Sequence, residues 1–179
     1  MIRIFLIGYM GAGKTTLGKV LARKLNLSFV DIDWFIESRF RKKIQDLFEE
    51  RGEAGFRELE RKTLHEVAEF EDVIISTGGG APCFFDNMDL MNRKGSTVFL
   101  DVQPDVLFRR LRITTASRPI LKDKTDEELR AFIIQSLEGR LPFYTQAQYT
   151  FNADGLETRP QVYEAVRRLC EMLKIDNSQ

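Results

Sequence analysis

A glycine-rich segment that ends in Lys-Thr constrains the fold of this chain more than any other feature. It covers residues 8–15, follows the apolar residues 2–7 and leads into a helical pattern at Lys14–Leu25. A strand, a glycine-rich loop and a helix in this order form a phosphate-binding loop, whose backbone amides and helix N-terminus face the phosphates. Lys14 adds a full positive charge, and Thr15 offers a hydroxyl to Mg²⁺. We therefore expect nucleotide binding; a glycine-rich turn with an incidental lysine is the alternative.

The balance of charges points to a small-molecule partner. The chain carries 27 Lys and Arg against 27 Asp and Glu, so no overall field would attract a polynucleotide or an anionic membrane. Its two distant cysteines, Cys83 and Cys170, favour neither a disulfide framework nor a zinc site, and they fit a reducing cytoplasm. We expect a cytoplasmic protein that binds neither nucleic acid nor membrane. With 43% hydrophobic residues, 1–179 should form one domain.

Predicted strands that alternate with helical patterns indicate an α/β fold. Residues 2–7 are almost all apolar, as in a central parallel strand that is buried on both faces. We expect a three-layer sandwich with a central parallel sheet of about five strands and helices on both sides. The predicted strands are residues 2–7, 27–30, 73–77, 97–101 and 148–151. The predicted helical stretches are residues 14–25, 33–70, from about 104, 127–144 and 160–173.

The chemistry should lie along one edge of this sheet. In open parallel sheets, ligands bind beyond the carboxyl ends of the strands. Polar or glycine-rich segments follow four of the predicted strands, at residues 8–15, 31–33, 77–80 and 101–105. A polar stretch at about 113–126 interrupts two helical patterns, and we interpret it as a lid loop.

Two carboxylates follow the second predicted strand. Asp31 and Asp33 flank Ile32, so a continued strand would point both carboxylates to one side. One could bind Mg²⁺, and the other could orient an acceptor hydroxyl for in-line attack. No aspartate ends the third predicted strand, which makes Asp31 the candidate to replace the usual Walker B carboxylate. Asp33 also precedes a helical pattern, and a helix N-cap is the alternative for it.

Other candidate groups are ambiguous on spacing alone. Arg57 and Glu60 are one helical turn apart, and a solvated surface pair is the usual outcome of that spacing. Residues 78–80 are three glycines after a predicted strand, which suit a close approach to a ligand and a tight turn equally well. Arg118 and Arg140 suit a phosphoryl group or a carboxylate, but several arginines surround them.

Together these motifs resemble the shikimate kinase family, which is part of the nucleoside-monophosphate-kinase-like (NMP-kinase-like) group of P-loop proteins. The resemblance spans nearly the whole chain. It rests on six ordered segments, at residues 8–15, 31–33, 56–60, 78–80, 118–121 and 140–144. Two departures from the usual family motifs, Ile32 and Ile120, remove no catalytic group.

The resemblance implies an enzyme that transfers the γ-phosphate of ATP to the 3-hydroxyl of shikimate. The products would be ADP and shikimate 3-phosphate, in the chorismate route to the aromatic amino acids. ATP would be the co-substrate, and Thr15 and Asp31 would hold one Mg²⁺ per subunit. The resemblance also implies a monomer.

The same resemblance implies a role for each site residue. The catalytic residues would be Lys14, Asp31, Asp33 and Arg118. The nucleotide would be bound by Gly11, Ala12, Gly13, Lys14, Thr15, Thr16, Arg118 and Arg159. Shikimate would be bound by Asp33, Arg57, Gly78, Gly79, Gly80 and Arg140, with Glu60 orienting Arg57. Adenine would lie between the stretch near Arg110 and Arg112 and the loop around Arg159 and Pro160.

Three other functions compete with this one. Another small-metabolite kinase, such as a gluconate kinase, would share the phosphate loop, but the Phe-Arg-x-x-Glu and triple-glycine segments weigh against it. A nucleotide-dependent switch that binds GTP and a protein partner is less favoured, because the chain has no Asn-Lys-x-Asp motif. A catalytically retired homologue ranks last, because the chain keeps Lys14, Asp31, Asp33, Arg57 and Arg118.

Overall fold

The computed structural model describes residues 1–114 and 121–175, in which strands and helices alternate. The strands are β1 (Arg3–Ile7), β2 (Ser28–Asp31), β3 (Val73–Ser76), β4 (Ser96–Asp101) and β5 (Tyr149–Asn152). The helices are α1 (Lys14–Leu25), α2 (Ile32–Phe40), α3 (Ile44–Val67), α4 (Asn87–Lys94), α5 (Pro104–Thr114), α6 (Asp126–Tyr144) and α7 (Arg159–Met172). A 3₁₀ turn at Ala81–Cys83 follows β3. Arg118 and Ile120, in the expected lid, lie outside the described residues.

The five strands form one parallel sheet in the order β2-β3-β1-β4-β5. Every residue of β1 and β3 is buried. Successive side chains of a strand point to opposite faces, so full burial means that both faces of the sheet are covered. The expected α/β sandwich around a five-stranded parallel sheet is therefore confirmed.

This strand order places the motif segments side by side. β1 lies between β3 and β4, and β3 lies between β1 and β2. Leu6 pairs with Ser76, and Ser76 pairs in turn with Asp31, so three strands end at nearly the same level. Because the strands are parallel, the segments that follow them meet at a single edge of the sheet.

The charged region predicted as helical to residue 70 consists of two helices. α2 ends at Phe40, and α3 begins at Ile44. α3 is itself kinked at Gly52, whose φ of 69° and ψ of 172° are not helical, whereas Gly55 is part of the regular helix. The kink divides α3 into a short arm that carries Phe48 and a longer arm that carries Arg57.

One helix was absent from the prediction. α4, with the sequence Asn-Met-Asp-Leu-Met-Asn-Arg-Lys, is only eight residues long, which is too short for a sustained helical pattern. It buries Met88, Leu90 and Met91, so tertiary packing stabilises it more than intrinsic propensity does. Among the described residues, no helix combines the length and the apolar character needed to cross a membrane.

Candidate active site

The phosphate-binding loop joins β1 to α1, as predicted. The Lys14 ammonium folds back over the loop and donates hydrogen bonds to the carbonyl oxygens of Gly8 at 2.7 Å and Tyr9 at 2.9 Å. α1 begins at Lys14, so the partial positive charge of the helix N-terminus adds to the charge of the Lys14 ammonium. The loop therefore concentrates positive potential where a phosphate would bind.

The end of β2 supplies a carboxylate directly opposite the start of α1. The Thr15 hydroxyl donates to Asp31 Oδ2 at 3.0 Å, while Asp31 Oδ1 accepts a hydrogen bond from the backbone N–H of Trp34 at 3.2 Å. Asp31 is thus the N-cap of α2, and the alternative that gave this role to Asp33 is wrong. The cap holds the Asp31 side chain in place, with one oxygen next to the Thr15 hydroxyl.

The Thr15 and Asp31 oxygens suit Mg²⁺. Both are hard oxygen donors, and their 3.0 Å separation matches adjacent corners of an octahedron with metal–oxygen bonds of about 2.0–2.1 Å. Among the described residues, no group of three or more His, Cys, Asp or Glu could hold a metal ion. In kinases, Mg²⁺ is usually bound by one or two protein ligands, and phosphate oxygens and water complete its coordination.

Asp33 is the second residue of α2 and lines a cleft together with Lys14, Thr15 and Asp31. Burial raises the pKa of the Asp33 carboxyl to about 7, and the neighbouring carboxylates of Asp31 and Glu60 add to the rise, whereas Lys14 opposes it. The three carboxyl groups therefore form a crowded acidic centre beside the phosphate-binding loop. Such a centre favours ligands that bring hydroxyl donors or cations to it.

Arg57 and Glu60 form a buried ion pair. Arg57 Nη1 lies 2.9 Å from Glu60 Oε2, and the side chains are 12% and 1% exposed. Three aromatic rings enclose the Arg57 guanidinium, with Phe84 at 4.2 Å and Phe48 and Phe56 at 5.5 Å from its carbon to the ring centres. The solvated surface pair that spacing alone suggested is therefore wrong, and Arg57 is held in one orientation.

The glycines after β3 lie directly against two arginine side chains. A methyl group on Gly80 would lie only 2.6 Å from Arg57 Nη2, so the backbone can approach the guanidinium this closely only without a side chain. A methyl group on Gly79 would lie 3.2 Å from Arg140 Nη1. The structure thus brings Arg57 and Arg140 against the glycine segment, where Gly78 also lies close to the carboxylates of Asp33 and Glu60.

A cleft of about 520 Å³ runs from the phosphate-binding loop to the glycine segment. Its lining includes the predicted residues Gly11, Gly13, Lys14, Thr15, Thr16, Asp31, Asp33, Gly78 and Gly79. A second cavity, of about 390 Å³, lies between α5 and the start of α7, and both cavities are lined by Arg110 and Glu157. This is the region expected for adenine. Arg159 is exposed and lines neither cavity, and its role stays a prediction, as does that of Arg118.

Arg110 connects the phosphate-binding loop to the segment after β5. Its guanidinium donates to the Glu157 carboxylate and to the carbonyl oxygens of Gly11, Ala12, Ala153 and Asp154. Arg112 instead lies 3.6 Å from Asp126 and is largely exposed. The arginine run 109–112 offered no signal that distinguished these two roles, because only the fold shows which side chain turns inwards.

Trp34 is a cleft residue that the sequence motifs did not single out. Its ring is 51% exposed, lines the cleft next to Asp33, and lies 4.5 Å from the Lys19 ammonium. The available signal was its position, because the single tryptophan of the chain directly follows the Asp-Ile-Asp segment.

Comparisons with known proteins point to one family. The family model described as shikimate kinase matches residues 10–173. A shikimate kinase of Bacteroides thetaiotaomicron is 70% identical over 175 residues, which cover 98% of this chain and 100% of the relative. A crystal structure of shikimate kinase from the same species matches with a TM-score of 0.93 and 68% identity, covering 97% of this chain and 99% of that one. Shikimate kinase from Acinetobacter baumannii in complex with shikimate matches with a TM-score of 0.82 and 31% identity, covering 97% and 94%.

The sequence and structural matches cover nearly the whole chain and agree with each other. They confirm the expected enzyme, a shikimate kinase with ATP as its co-substrate, over the gluconate kinase and the nucleotide-dependent switch. The chain belongs to the shikimate kinase family.

Proposed function

We propose that the cleft transfers the γ-phosphoryl group of ATP to the 3-hydroxyl of shikimate through the residues that the sequence motifs named. The observation that carries this proposal is that a phosphate-binding loop, the Arg57–Glu60 ion pair and Arg140 meet at one sheet edge, around the glycine segment. A small anionic polyol suits this group, since arginines bind a carboxylate and carboxylates accept hydrogen bonds from hydroxyls. The Acinetobacter baumannii relative, solved in complex with shikimate, supports the same substrate.

On the acceptor side, Arg57 and Arg140 bind the shikimate carboxylate, and Asp33 accepts a hydrogen bond from a hydroxyl. The backbone of Gly78, Gly79 and Gly80 lies against the ring. Glu60 keeps the Arg57 guanidinium in one orientation, so little conformational entropy is lost when the carboxylate binds. The buried setting strengthens each charged hydrogen bond relative to water.

On the donor side, the amides of Gly11, Ala12 and Gly13 and the side chains of Lys14, Thr15, Thr16, Arg118 and Arg159 bind the nucleotide. The 3-hydroxyl oxygen bonds to the γ-phosphorus as the bond from that phosphorus to the bridging oxygen of ADP breaks, and the hydroxyl proton passes to the carboxylate pair of Asp31 and Asp33. Lys14 and Arg118 offset the charge on the transferring group, which is the main catalytic task when the transition state is loose.

Thr15 and Asp31 hold one Mg²⁺ per subunit in this proposal. Bound there, the ion neutralises charge on the phosphate oxygens. The 3.0 Å contact between the two side chains supports the assignment, because the hydroxyl and the carboxylate already share one small space. The protein's own contribution is to hold these two oxygens beside the loop that binds the phosphates.

We also propose the organisation expected from the sequence. Residues 1–179 act as one kinase domain, in which 33–70 form the substrate-binding helical region and about 113–126 form the lid. The working form is a cytoplasmic monomer. Size-exclusion chromatography with light scattering tests the oligomeric state, and a mass of two chains would overturn this part.

The activity test measures ADP release from MgATP by the purified protein with shikimate, with gluconate and without an acceptor. We expect turnover that depends on shikimate, with the mass of a shikimate phosphate in the product. Turnover with gluconate alone would overturn the acceptor assignment. ATP binding without turnover on either acceptor would overturn the proposed chemistry.

A further inference from the structure

Tyr144 connects α6 to the glycine segment that follows β3. It is the last residue of α6 and is fully buried, and its hydroxyl donates a hydrogen bond to the Gly79 carbonyl at 2.5 Å. Its ring packs against Phe99 of β4, with 5.2 Å between the ring centres. Because packing holds the ring in place, the Tyr144 hydroxyl holds the Gly79 carbonyl in one orientation.

Arg140 lies one helical turn before Tyr144 and reaches the same place. Its guanidinium packs against the Gly79 backbone, where an added methyl group would lie 3.2 Å from Nη1. Burial raises the pKa of the Tyr144 phenol, and the nearby Arg140 charge acts in the opposite direction. The phenol therefore stays protonated near neutral pH, so that it remains a donor to Gly79.

A second buried group holds the other end of the segment. Asn87 of α4 is fully buried, and its side-chain amide donates to the Ala81 carbonyl at 2.8 Å. The stretch from Gly79 to Ala81 is thus attached at two carbonyls, from α6 and from α4. In a planar trans peptide the N–H points opposite to the preceding C=O, so the bond to Gly79 also sets the direction of the Gly80 N–H.

We propose that Tyr144 is a positioning residue for the acceptor substrate, whose hydroxyl fixes the Gly79–Gly80 peptide and the Arg140 guanidinium relative to each other. This inference rests on the proposed function, which assigns Arg140 and the glycine backbone to shikimate. Tyr144 acts through these groups, so its loss should affect shikimate binding and leave the nucleotide side unchanged. If the hydroxyl were merely structural, its loss would change the KM values of both substrates alike, or would lower only the stability of the protein.

The first test compares steady-state kinetics of the Tyr144→Phe variant with those of the wild type. Phe keeps the ring packing and removes only the hydroxyl. We expect the KM for shikimate to rise about tenfold, as for one lost buried hydrogen bond, and the KM for ATP to change less than twofold. Tyr163→Phe is the matched control, because Tyr163 lies on α7 and is 59% exposed. Equal changes in both KM values, or a fall in melting temperature alone, would overturn the proposal.

A second pair of variants keeps the test decisive if Tyr144→Phe does not fold. Position 144 can carry 4-aminophenylalanine, which keeps a donor, or 4-fluorophenylalanine, which keeps similar bulk without one. We expect the amino variant to retain most shikimate affinity and the fluoro variant to lose it; equal affinities would overturn the proposal. Wild type that shows no shikimate-dependent ADP release would instead overturn the proposed function, so the two failures are distinguishable.

Discussion

At the residue scale, the acceptor site that we propose depends on how tightly Arg57 is held. Glu60 binds one side of its guanidinium at 2.9 Å, and the ring of Phe84 lies 4.2 Å from its carbon. A removed partner would leave a buried charge unpaired, which costs more than a surface ion pair contributes. The orientation of Arg57 is therefore fixed without a ligand, which would lower the entropy lost if Arg57 binds the substrate as we propose.

Arg57→Lys should weaken shikimate binding selectively. Lysine keeps the charge but not the planar fork that can bind Glu60 and a carboxylate together. We expect the KM for shikimate to rise by roughly 10- to 100-fold and the KM for ATP by less than about threefold. Arg61→Lys is the control, because Arg61 lies one turn further along α3 and forms a partly exposed pair with Asp86. Similar increases in both KM values would contradict the assignment of Arg57 to the acceptor.

Asp33→Asn should stabilise the protein without ligand and in EDTA, and more so at pH 8 than at pH 5. The pKa of Asp33 is about 7 in the folded state against an ordinary 3.8, so the unfolded chain loses this proton first as pH rises. The wild type therefore loses about 1.4 kcal/mol of stability relative to the variant for each pH unit between these values. Above about pH 7 the difference becomes constant.

Urea unfolding at several pH values measures this difference. Asp46→Asn is the control for loss of a carboxylate, since Asp46 is exposed on α3. A difference between wild type and Asp33→Asn that stays the same from pH 5 to pH 8 would show that the Asp33 environment does not favour the protonated form.

At the element scale, most of the architecture follows from local sequence, and the exceptions have physical causes. The apolar run of β1 predicted a buried strand because side chains on both of its faces meet helices. α4 was missed because eight residues are too few for a clear helical pattern, and its packing against the core stabilises it. The motifs located the carboxylates and arginines, but the bond from Tyr144 to Gly79 joins residues 65 positions apart, and no local pattern encodes it.

The kink of α3 yields a prediction that separates backbone strain from crowding. Gly52 has a φ of 69° and Gly139 lies within α6, and an added methyl group meets no atom within 4 Å at either site. Gly52→Ala should cost about 1–3 kcal/mol, because its φ and ψ suit almost only glycine. Gly139→Ala should stabilise by about 0.5–1 kcal/mol, as expected in a regular helix. Chemical denaturation measures both changes, and equal signs would contradict the argument.

At the scale of the whole molecule, the carboxyl-terminal and amino-terminal ends of the strands have different functions. The carboxyl ends of the strands carry the loop, the carboxylates and the glycine segment, so binding groups replace apolar packing there. At the opposite edge, Arg3 is 8% exposed and donates to the carbonyl oxygens of Phe70 at 2.7 Å and Lys94 at 2.6 Å. These bonds attach the start of the central strand to the turn that follows α3 and to the end of α4.

Arg3→Met should therefore lower stability without changing the reaction. The substitution leaves the Phe70 and Lys94 carbonyls without their charged donor, which should cost about 2–3 kcal/mol. A strand length of roughly 15 Å separates Arg3 from the phosphate-binding loop, so both KM values should stay within about twofold of wild type. Arg93→Met, which breaks an exposed pair with Asp89, should cost less than about 1 kcal/mol. A large change in either KM for Arg3→Met would show that the two edges are coupled through the sheet.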